Sequence, residues 1–375
     1  MSGHVLVAPD KFKGSLTAAE AAEAIAAGLR DADPGLPVVL LPVADGGDGT
    51  VDAAVAAGFA RRHATVTGPA GTPVRASYAV SGTTAVVELA EASGLKRLAP
   101  GEFHPLTASS LGTGELVAAA LRGGATRIVL GLGGSACTDG GTGFLTALGA
   151  RFLDATGTPL PPGGGALRDL AAIEPGPVPD AQIIVASDVD NPLLGPHGAA
   201  TTFAPQKGAS PQDVHALEAS LTNLTRLTHP ALGSGAEGSA DHPGAGAAGG
   251  VGFAALAYLG AELRPGIAYL LDLLGFAAKV DGARLVITGE GSLDPQTLRG
   301  KAPVGVARAA AAAGVPVIAL AGRRALGRDE ARAAGFRAVH ALTDLGADPA
   351  RLMPEAATLL RRLAADAVRD MPDFR

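Results

Sequence analysis

The sequence predicts an α/β protein of two domains, one of them a doubly wound, Rossmann-like domain made from both chain ends. Near each end of the 375-residue chain, short apolar runs alternate with amphipathic stretches, which is typical of parallel strands joined by crossover helices. Between residues 63 and 88, three strand-like runs follow one another without room for helices, which favours a mixed sheet. We therefore expect an inserted mixed α/β domain over residues 66–282 and the Rossmann-like domain over residues 1–65 and 283–375.

The first half of the chain supplies most of the expected strands. Thr17-Ala-Ala-Glu20 is a capping box, so a helix begins there and runs through Ile25 and Leu29 to Arg30. Further helices are expected at Gly47–Ala57, Gly114–Leu121 and Gly141–Leu148. The expected strands are Val5–Ala8, Pro37–Pro42, His63–Gly68, Val74–Val80, Thr84–Glu88, Arg127–Leu132, Ala150–Asp154 and Gln182–Ser187.

The second half begins irregularly and becomes regular again near the C-terminus. Gly157–Gly176 is a Gly/Pro-rich loop, and Ala231–Gly252 has the composition most typical of a linker. The last part predicts strands at Arg284–Thr288, Val315–Ala321 and Ala338–Leu342, and helices at Val304–Ala313, Arg328–Ala334 and Pro349–Arg369.

Composition and charge exclude several classes of protein. Gly (53) and Pro (27) are abundant, but 47 % hydrophobic and only 18 % charged residues indicate a folded chain. The net charge is −6, and no block of Lys or Arg accompanies the 3 % of aromatic residues, so we expect no nucleic-acid partner. The longest uncharged run, residues 243–261, is mostly Gly and Ala, so we expect no membrane span.

Cysteine content and the N-terminus indicate a cytoplasmic protein. A single cysteine, Cys137, excludes an internal disulfide and a multi-cysteine metal site, and we expect it to be a small buried residue. The first ten residues resemble an opening strand more than a signal peptide, because no basic region precedes the apolar run.

Acids, amides and lysines follow several of the expected strands, where ligands bind in open α/β sheets. Two carboxylates and an amide after Gln182–Ser187 suit Mg²⁺, which prefers oxygen ligands. Lys207 lies on a turn further on. The candidates at strand ends are Asp10, Lys11, Lys13, Ser15, Asp45, Asp48, Asp188, Asp190, Asn191, Glu290, Asp294 and Lys301.

The densest glycine loop, residues 131–143, directly follows the strand Arg127–Leu132. A strand, a glycine loop with Ser135 and Thr138, and then a helix are typical of phosphate binding by backbone N–H groups. An alternative is an NAD-linked oxidoreductase acting on a small hydroxy acid, because Gly131–Ala136 and the later Asp154 weakly match a dinucleotide fingerprint. Asp139 argues against it, since its charge would repel a pyrophosphate unless a metal intervened.

Glycine loops, oxygen ligands and isolated lysines are together typical of phosphoryl transfer, which needs charge neutralisation and positioning more than covalent catalysis. The residues alone therefore predict a phosphate-handling, Mg²⁺-dependent α/β enzyme, and they leave its substrate open.

A resemblance to a known family narrows this prediction. Eight stretches in family order, spanning about residues 5 to 345, resemble the bacterial glycerate kinases of the first family. They are residues 8–16, 42–50, 112–116, 133–141, 188–193, 205–208, 243–250 and 288–301. Four positions depart from the family pattern: Cys137-Thr138 replaces the usual Thr-Asn, Asp48 replaces Glu, and Asp190 is often Thr in relatives.

The resemblance implies two α/β domains with the active site in the cleft between them. It implies that ATP phosphorylates D-glycerate, most simply at the 2-hydroxyl to give 2-phosphoglycerate, with Mg²⁺ and in-line transfer. No nucleic-acid or membrane partner is implied, and we expect a cytoplasmic monomer or homodimer.

Roles for single residues follow as hypotheses from the same resemblance. Asp188 would accept the glycerate hydroxyl proton, and Lys301 or Lys207 would neutralise the transferring phosphoryl group. The hypotheses assign catalysis to Asp188 and Lys301; nucleotide binding to Gly133, Gly134, Ser135, Thr138, Asp139, Gly140, Gly141 and Lys207; substrate binding to Asp10, Lys13, Ser15 and Asn191; and Mg²⁺ to Asp45, Glu290 and Asp294.

Overall fold

Strands and helices alternate along most of the chain in the computed structural model, which describes residues 3–346, 348–369 and 371. Because the hydrophobic runs are short and end in glycines, most strands have three to nine residues. In chain order the strands are β1 His4–Val7, β2 Val38–Leu40, β3 Ala60–Thr67, β4 Pro73–Ser81, β5 Thr84–Glu88, β6 Arg127–Gly131, β7 Arg151–Leu153, β8 Ala172–Glu174, β9 Gln182–Ala186, β10 Glu262–Arg264, β11 Ala283–Leu293, β12 Val317–Arg324 and β13 Phe336–Ala341.

The helices range from a single turn to the six turns of the longest one. In chain order they are α1 Ala18–Ala32, α2 Thr50–Ala56, α3 Leu89–Ser93, α4 Leu111–Arg122, α5 Thr142–Ala147, α6 Ala199–Phe203, α7 Pro211–Leu232, α8 Val251–Leu259, α9 Gly266–Leu273, α10 Phe276–Val280, α11 Ala302–Ala312, α12 Arg328–Ala333, α13 Pro349–Leu352 and α14 Ala356–Arg369. Among the described residues, no helix is both long and apolar enough to cross a lipid bilayer.

A five-stranded parallel sheet, of order β13-β12-β11-β1-β2, joins the two ends of the chain. Apolar residues of α1 and α14 pack with β1, β11 and β12 in one buried cluster. Helix α1 has the expected capping box, in which Thr17 Oγ1 accepts from the Glu20 N–H. Arg361 on α14 makes two hydrogen bonds to the carboxylate of Asp31 at the end of α1. The doubly wound α/β sheet expected at the chain ends is confirmed.

A six-stranded mixed sheet, of order β10-β9-β6-β5-β4-β3, occupies the middle of the chain. Strand β4 is antiparallel to both of its neighbours, β3 and β5, whereas β5, β6, β9 and β10 are parallel. This confirms the mixed α/β architecture. Strand β7 lies outside this sheet and pairs with β8 in a separate antiparallel ribbon.

The chain divides into two compact units. The first consists of the described residues within Met1–Asp45, Asp52–Gly58 and Ile267–Arg375, and the second of Gly46–Val51 and Phe59–Gly266. Each unit contains one of the two main sheets and its own apolar core. The domain boundaries expected near residues 65 and 283 stay a prediction.

The structure differs from the sequence-based prediction in several places. Helix α7 is not predicted, although Ser210 caps it with a hydrogen bond from the Asp213 N–H. Within Ala231–Gly252, the stretch most like a linker in composition, residues 244–250 are buried, and Ala248 has a positive φ of +53°. The single C-terminal helix expected at Pro349–Arg369 is two helices, α13 and α14.

Candidate active site

Acidic side chains follow three neighbouring parallel strands of the first unit. Asp10 lies beyond β1, Asp45 beyond β2, and Glu290 within the carboxyl half of β11, and β11, β1 and β2 are adjacent in the sheet. Only 5 % of Asp10 is exposed. Burial, with a smaller contribution from the negative charges of Asp45 and Glu290, raises the pKa of Asp10 to about 7 against the opposing effect of Lys11. The sequence-predicted carboxylates are therefore close enough to repel one another.

Glu290 stands in a second set of contacts at the end of β11. Its carboxylate accepts a hydrogen bond from Thr297 Oγ1, and the residue is buried. Burial raises the pKa of Glu290, while the hydrogen bond from Thr297 and the charge of Lys301 lower it. The negative charge of Asp294 also raises the pKa of Glu290. The Asp294 carboxylate accepts a hydrogen bond from Ser292 Oγ at 3.2 Å. The structure thus groups Glu290, Asp294 and Lys301 as expected, and Thr297 is an additional member.

The β1–α1 turn carries Lys13 and Ser15. Lys13 is exposed, whereas Ser15 is partly buried and its Oγ donates to the Phe12 carbonyl oxygen at 3.0 Å. The turn packs against β11: a Cβ added at Gly291 would lie 3.1 Å from the backbone nitrogen of Lys13. The glycine therefore lets this turn approach the strand that bears Glu290.

The donor chemistry of this cluster fits Mg²⁺. Among the described residues, no three His, Cys, Asp or Glu side chains are already arranged around a common metal position. Mg²⁺ often takes only one or two carboxylates and completes its shell with water and substrate phosphates. Buried carboxylates that raise one another's pKa would be stabilised in their ionised form by such a cation.

In the second unit, the glycine loop after β6 is tightly packed against other backbone. The N–H groups of Gly133, Ala136 and Gly140 donate to the carbonyl oxygens of Gly46, Ser93 and Gly249, at 3.2, 2.9 and 2.9 Å. These N–H groups have protein acceptors, so they do not face outward as the phosphate-loop prediction expects. We attribute much of the glycine content here to close packing, since a Cβ at Gly133 would lie 2.3 Å from Gly47 Cα.

Asp139 is fully buried in this loop and accepts several hydrogen bonds. Its carboxylate accepts from the N–H and Oγ of Ser110, both at 2.8 Å, and from the N–H groups of Gly141 and Gly143 at 3.1 and 3.3 Å. Ser109 Oγ lies 3.4 Å away. The charge of Asp139 is therefore satisfied by the protein and organises the loop from inside.

Lys207 is buried below the same loop. Only 3 % of the residue is exposed, and its Nζ donates to Ser135 Oγ at 2.8 Å and to the Cys137 carbonyl oxygen at 2.5 Å. Burial lowers the pKa of Lys207, and the negative charge of Asp139 acts in the opposite direction. The structure brings Lys207 and Ser135 together, but it places the lysine inside the protein.

Thr138 and Cys137 are also buried. Burial raises the pKa of the Cys137 thiol well above its usual range, so the thiol is unreactive. This confirms that Cys137 is a small buried residue. Gly134 and Gly141 have φ values of +74°, a conformation that favours glycine.

The polar loop after β9 contains Asp188 and Asn191. Asp188 is exposed, and its Oδ1 accepts from the Gly266 N–H at 2.9 Å. The side-chain Nδ2 of Asn191 donates to the His197 carbonyl oxygen at 2.7 Å. The main-chain carbonyl oxygen of Asn191 accepts from the N–H groups of Gly244 and Gly246. Asn191 thus joins its loop to the glycine-rich segment 244–250, while Asp188 presents a carboxylate at the surface.

A carboxylate that was not predicted, Glu88, ends β5. It is buried and accepts from the N–H groups of Gly49 and Val51, both at 3.1 Å, and from Lys96 Nζ at 3.1 Å. Burial raises the pKa of Glu88 to about 7 against the effect of Lys96. The only sequence signal was its position at the end of a buried strand, where Asp10 and Glu290 also lie.

Comparisons with known proteins agree with these features. The chain matches the sequence profile of the Glycerate kinase family over residues 5–372. It is 47 % identical over 325 residues to "Glycerate kinase" of Bacillus subtilis, covering 85 % of this chain and 84 % of the relative. It is 46 % identical over 326 residues to "Glycerate 2-kinase" of Escherichia coli, covering 85 % and 84 %. A crystal structure from Salmonella typhimurium LT2, assigned to glycerate kinase 2, superposes with a TM-score of 0.83 at 40 % identity, covering 98 % of this chain and 97 % of that one.

The two α/β units and their acidic and basic strand ends define the chain as an α/β kinase. The family profile and the superposed crystal structure both match nearly the whole chain. The chain belongs to the glycerate kinase family. Family membership decides against the NAD-linked oxidoreductase that Gly131–Ala136 suggested as an alternative.

Proposed function

We propose that this kinase transfers the γ-phosphoryl group of ATP to the 2-hydroxyl of D-glycerate, giving 2-phosphoglycerate and ADP. The observation that carries the proposal is the set of carboxylates at the ends of β1, β2 and β11, with Lys301 beside them. The position of transfer is supported by the 46 % identity to a relative named glycerate 2-kinase.

Asp188 is the proposed general base. A new bond forms between the substrate 2-oxygen and the γ-phosphorus, while the bond from that phosphorus to the β,γ-bridging oxygen breaks. The hydroxyl proton moves to the Asp188 carboxylate, and ADP leaves with the electrons of the broken bond. The Gly266 N–H holds Asp188 Oδ1 at 2.9 Å, which fixes the orientation of the carboxylate. Lys301 would offset charge on the transferring group.

Asp45, Glu290 and Asp294 would hold Mg²⁺. When bound, the ion would neutralise charge on the phosphate oxygens and help to keep the reacting groups in line. The residues Asp10, Lys13, Ser15 and Asn191 are proposed to bind the substrate, with Lys13 the exposed cation suited to a carboxylate. Thr297 supports Glu290 by its hydrogen bond.

The glycine loop of the second unit is proposed to bind the nucleotide phosphates. Gly134 is exposed and is the proposed direct contact. Internal hydrogen bonds and burial favour an indirect role for the other proposed nucleotide residues, which would hold the loop in shape: Gly133, Ser135, Thr138, Asp139, Gly140, Gly141 and Lys207.

The test is a reaction of the purified protein with ATP, MgCl₂ and D-glycerate. ADP release would be measured with a coupled assay, and the product would be identified by ³¹P NMR against 2- and 3-phosphoglycerate standards. We expect 2-phosphoglycerate, little turnover of L-glycerate, and loss of activity in EDTA that returns with Mg²⁺. A 3-phosphoglycerate product, or equal turnover after metal removal, would overturn the respective part of the proposal.

A further inference from the structure

The segment Gly46–Val51, here called the 46–51 loop, is packed against two strand ends of the second unit. A Cβ at Gly46 would lie 2.3 Å from the Ala186 carbonyl oxygen at the end of β9. A Cβ at Gly131, at the end of β6, would lie 2.6 Å from the Gly46 carbonyl oxygen. Backbone therefore lies directly on backbone here, and the loop has little freedom to move on this side.

The other side of the 46–51 loop is held by Glu88. Glu88 Oε2 accepts from the N–H groups of Gly49 and Val51, both at 3.1 Å, and Oε1 accepts from Lys96 Nζ at the same distance. Since only 1 % of Glu88 is exposed, water cannot readily replace the carboxylate as acceptor for these groups. Because both N–H groups share this one buried acceptor, its removal would leave two donors of the loop unsatisfied.

We infer that Glu88 is a positioning residue for the kinase reaction, acting through the 46–51 loop. The loop directly follows Asp45, the proposed Mg²⁺ ligand, so the inference rests on the proposed function for that residue. Glu88 does not contact the substrate; it fixes the backbone that continues from Asp45. Residues that orient metal ligands typically change activity or metal affinity 10–100-fold when they are replaced.

Glu91 offers a matched control in the same ionic network. Its carboxylate accepts from Lys96 Nζ at 2.8 Å, from Ser77 Oγ at 2.6 Å and from Arg97 Nη2 at 3.2 Å. None of these hydrogen bonds goes to the 46–51 loop, although Lys96 Nζ also donates to Asp48 Oδ1 within that loop at 2.5 Å. Replacing Glu91 therefore perturbs the network and the stability of the protein without removing the acceptor of the loop N–H groups.

The experiment compares the full-length wild type with Glu88→Leu and Glu91→Leu, since leucine has no acceptor whereas glutamine would keep one oxygen for the loop N–H groups. For Glu88→Leu we expect kcat/KM to fall about 10–100-fold and the Mg²⁺ concentration for half-maximal activity to rise. For Glu91→Leu we expect both to stay within about threefold of the wild type, because the loop keeps its acceptor. Unchanged kinetics and Mg²⁺ dependence in Glu88→Leu would overturn the inference.

Hydrogen exchange gives a readout that needs neither the substrate nor a stable variant. In the wild type, the amides of Gly49 and Val51 should exchange at least tenfold more slowly than that of Gly101, which is exposed. In Glu88→Leu, which has no acceptor for them, they should exchange faster than in Glu91→Leu. Rapid exchange at both positions in the wild type would refute the anchoring. If the wild type fails to turn over D-glycerate, the proposed function fails, and the exchange result still decides whether Glu88 holds the loop.

Discussion

Single carboxylates on one loop provide the sharpest test of the chemistry. Asp188→Asn removes the proposed base but keeps its size and an oxygen that can accept from the Gly266 N–H. We expect kcat to fall about 10²–10⁴-fold, because general-base catalysis contributes that range. The measurement is steady-state kinetics, with circular dichroism to show that the fold is intact.

Asp190→Asn is the matched control for Asp188, since Asp190 is an exposed carboxylate two residues away. It should retain kcat within about threefold, as surface carboxylates outside the reaction contribute little. An Asp188→Asn variant as active as the Asp190→Asn variant would contradict the assignment of the base.

The buried lysine makes a prediction about stability and pH. Burial lowers the pKa of Lys207 below its ordinary 10.5, so the unfolded chain binds more protons than the folded protein at pH values between the two pKa values. Stability contributed by this group therefore rises with pH in that window, by up to about 1.4 kcal/mol per pH unit, and levels off above 10.5.

Lys207→Met isolates this effect, because methionine has a similar length and no charge. Urea unfolding of both proteins at several pH values from 7 to 10 gives the difference in the free energy of unfolding, and other titrating groups largely cancel from that difference. We expect the free energy of unfolding of the wild type to rise relative to that of Lys207→Met as pH rises. A pH-independent difference would show that Lys207 has the same pKa in the folded and unfolded states.

At the residue scale, the sequence identifies the polar strand ends better than it assigns their roles. The acids after β1, β2 and β11 were predicted because position and residue type coincide there. The burial of Asp139 and Lys207 was not predictable, since their partners Ser110 and Ser135 are distant from them in sequence. Glu88 was missed because its acceptor role depends on a loop about 40 residues away, as the Gly49 contact shows.

At the scale of the structural elements, the glycine loops pack so closely that a glycine-to-alanine substitution, which adds one methyl group, tests the packing. A Cβ at Gly133 would lie 2.3 Å from Gly47 Cα, and backbone cannot move aside cheaply. We expect Gly133→Ala to lower the free energy of unfolding by about 1–3 kcal/mol, as overpacking usually does. Thermal and urea unfolding would measure the change.

Gly35→Ala is the control for this substitution. A Cβ there would have its nearest neighbour, Asp33 Oδ1, at an ordinary 3.5 Å, and the backbone has no positive φ. The free energy of unfolding should be almost unchanged or slightly higher, because alanine restricts the unfolded chain. Equal effects of the two substitutions would show that the Gly133 contact is not constrained.

Most elements were predictable because their signals are local. The capping box of α1 and the three consecutive strand runs before residue 88 depend only on neighbouring residues. Helix α7 has a comparable local signal, the capping box Ser210-Pro-Gln-Asp213. The buried glycine-rich segment 244–250 has no local signal, because glycines of a solvent-exposed linker and glycines packed against another backbone look the same in sequence.

At the scale of the whole molecule, the second unit is formed by the middle of the chain and the first unit mainly by its two ends. Among the described residues, the buried members of the main apolar cluster of the second unit run from Val66 to Ala261, all within residues 46–266. In the first unit, β1 pairs with β11 and α1 packs with α14, so both chain ends are needed to complete the sheet and its core. The two units should therefore differ in their ability to fold alone.

We expect a fragment of residues 46–266 to fold and to unfold cooperatively in urea, because it keeps its six-stranded sheet, the core and the 46–51 loop. A fragment of residues 1–58 should show no cooperative transition, since it has β1 and β2 without β11 and α14. Circular dichroism and urea titration of both fragments provide the measurement. A 46–266 fragment that binds the dye ANS and lacks a transition would show that its core depends on residues of the first unit.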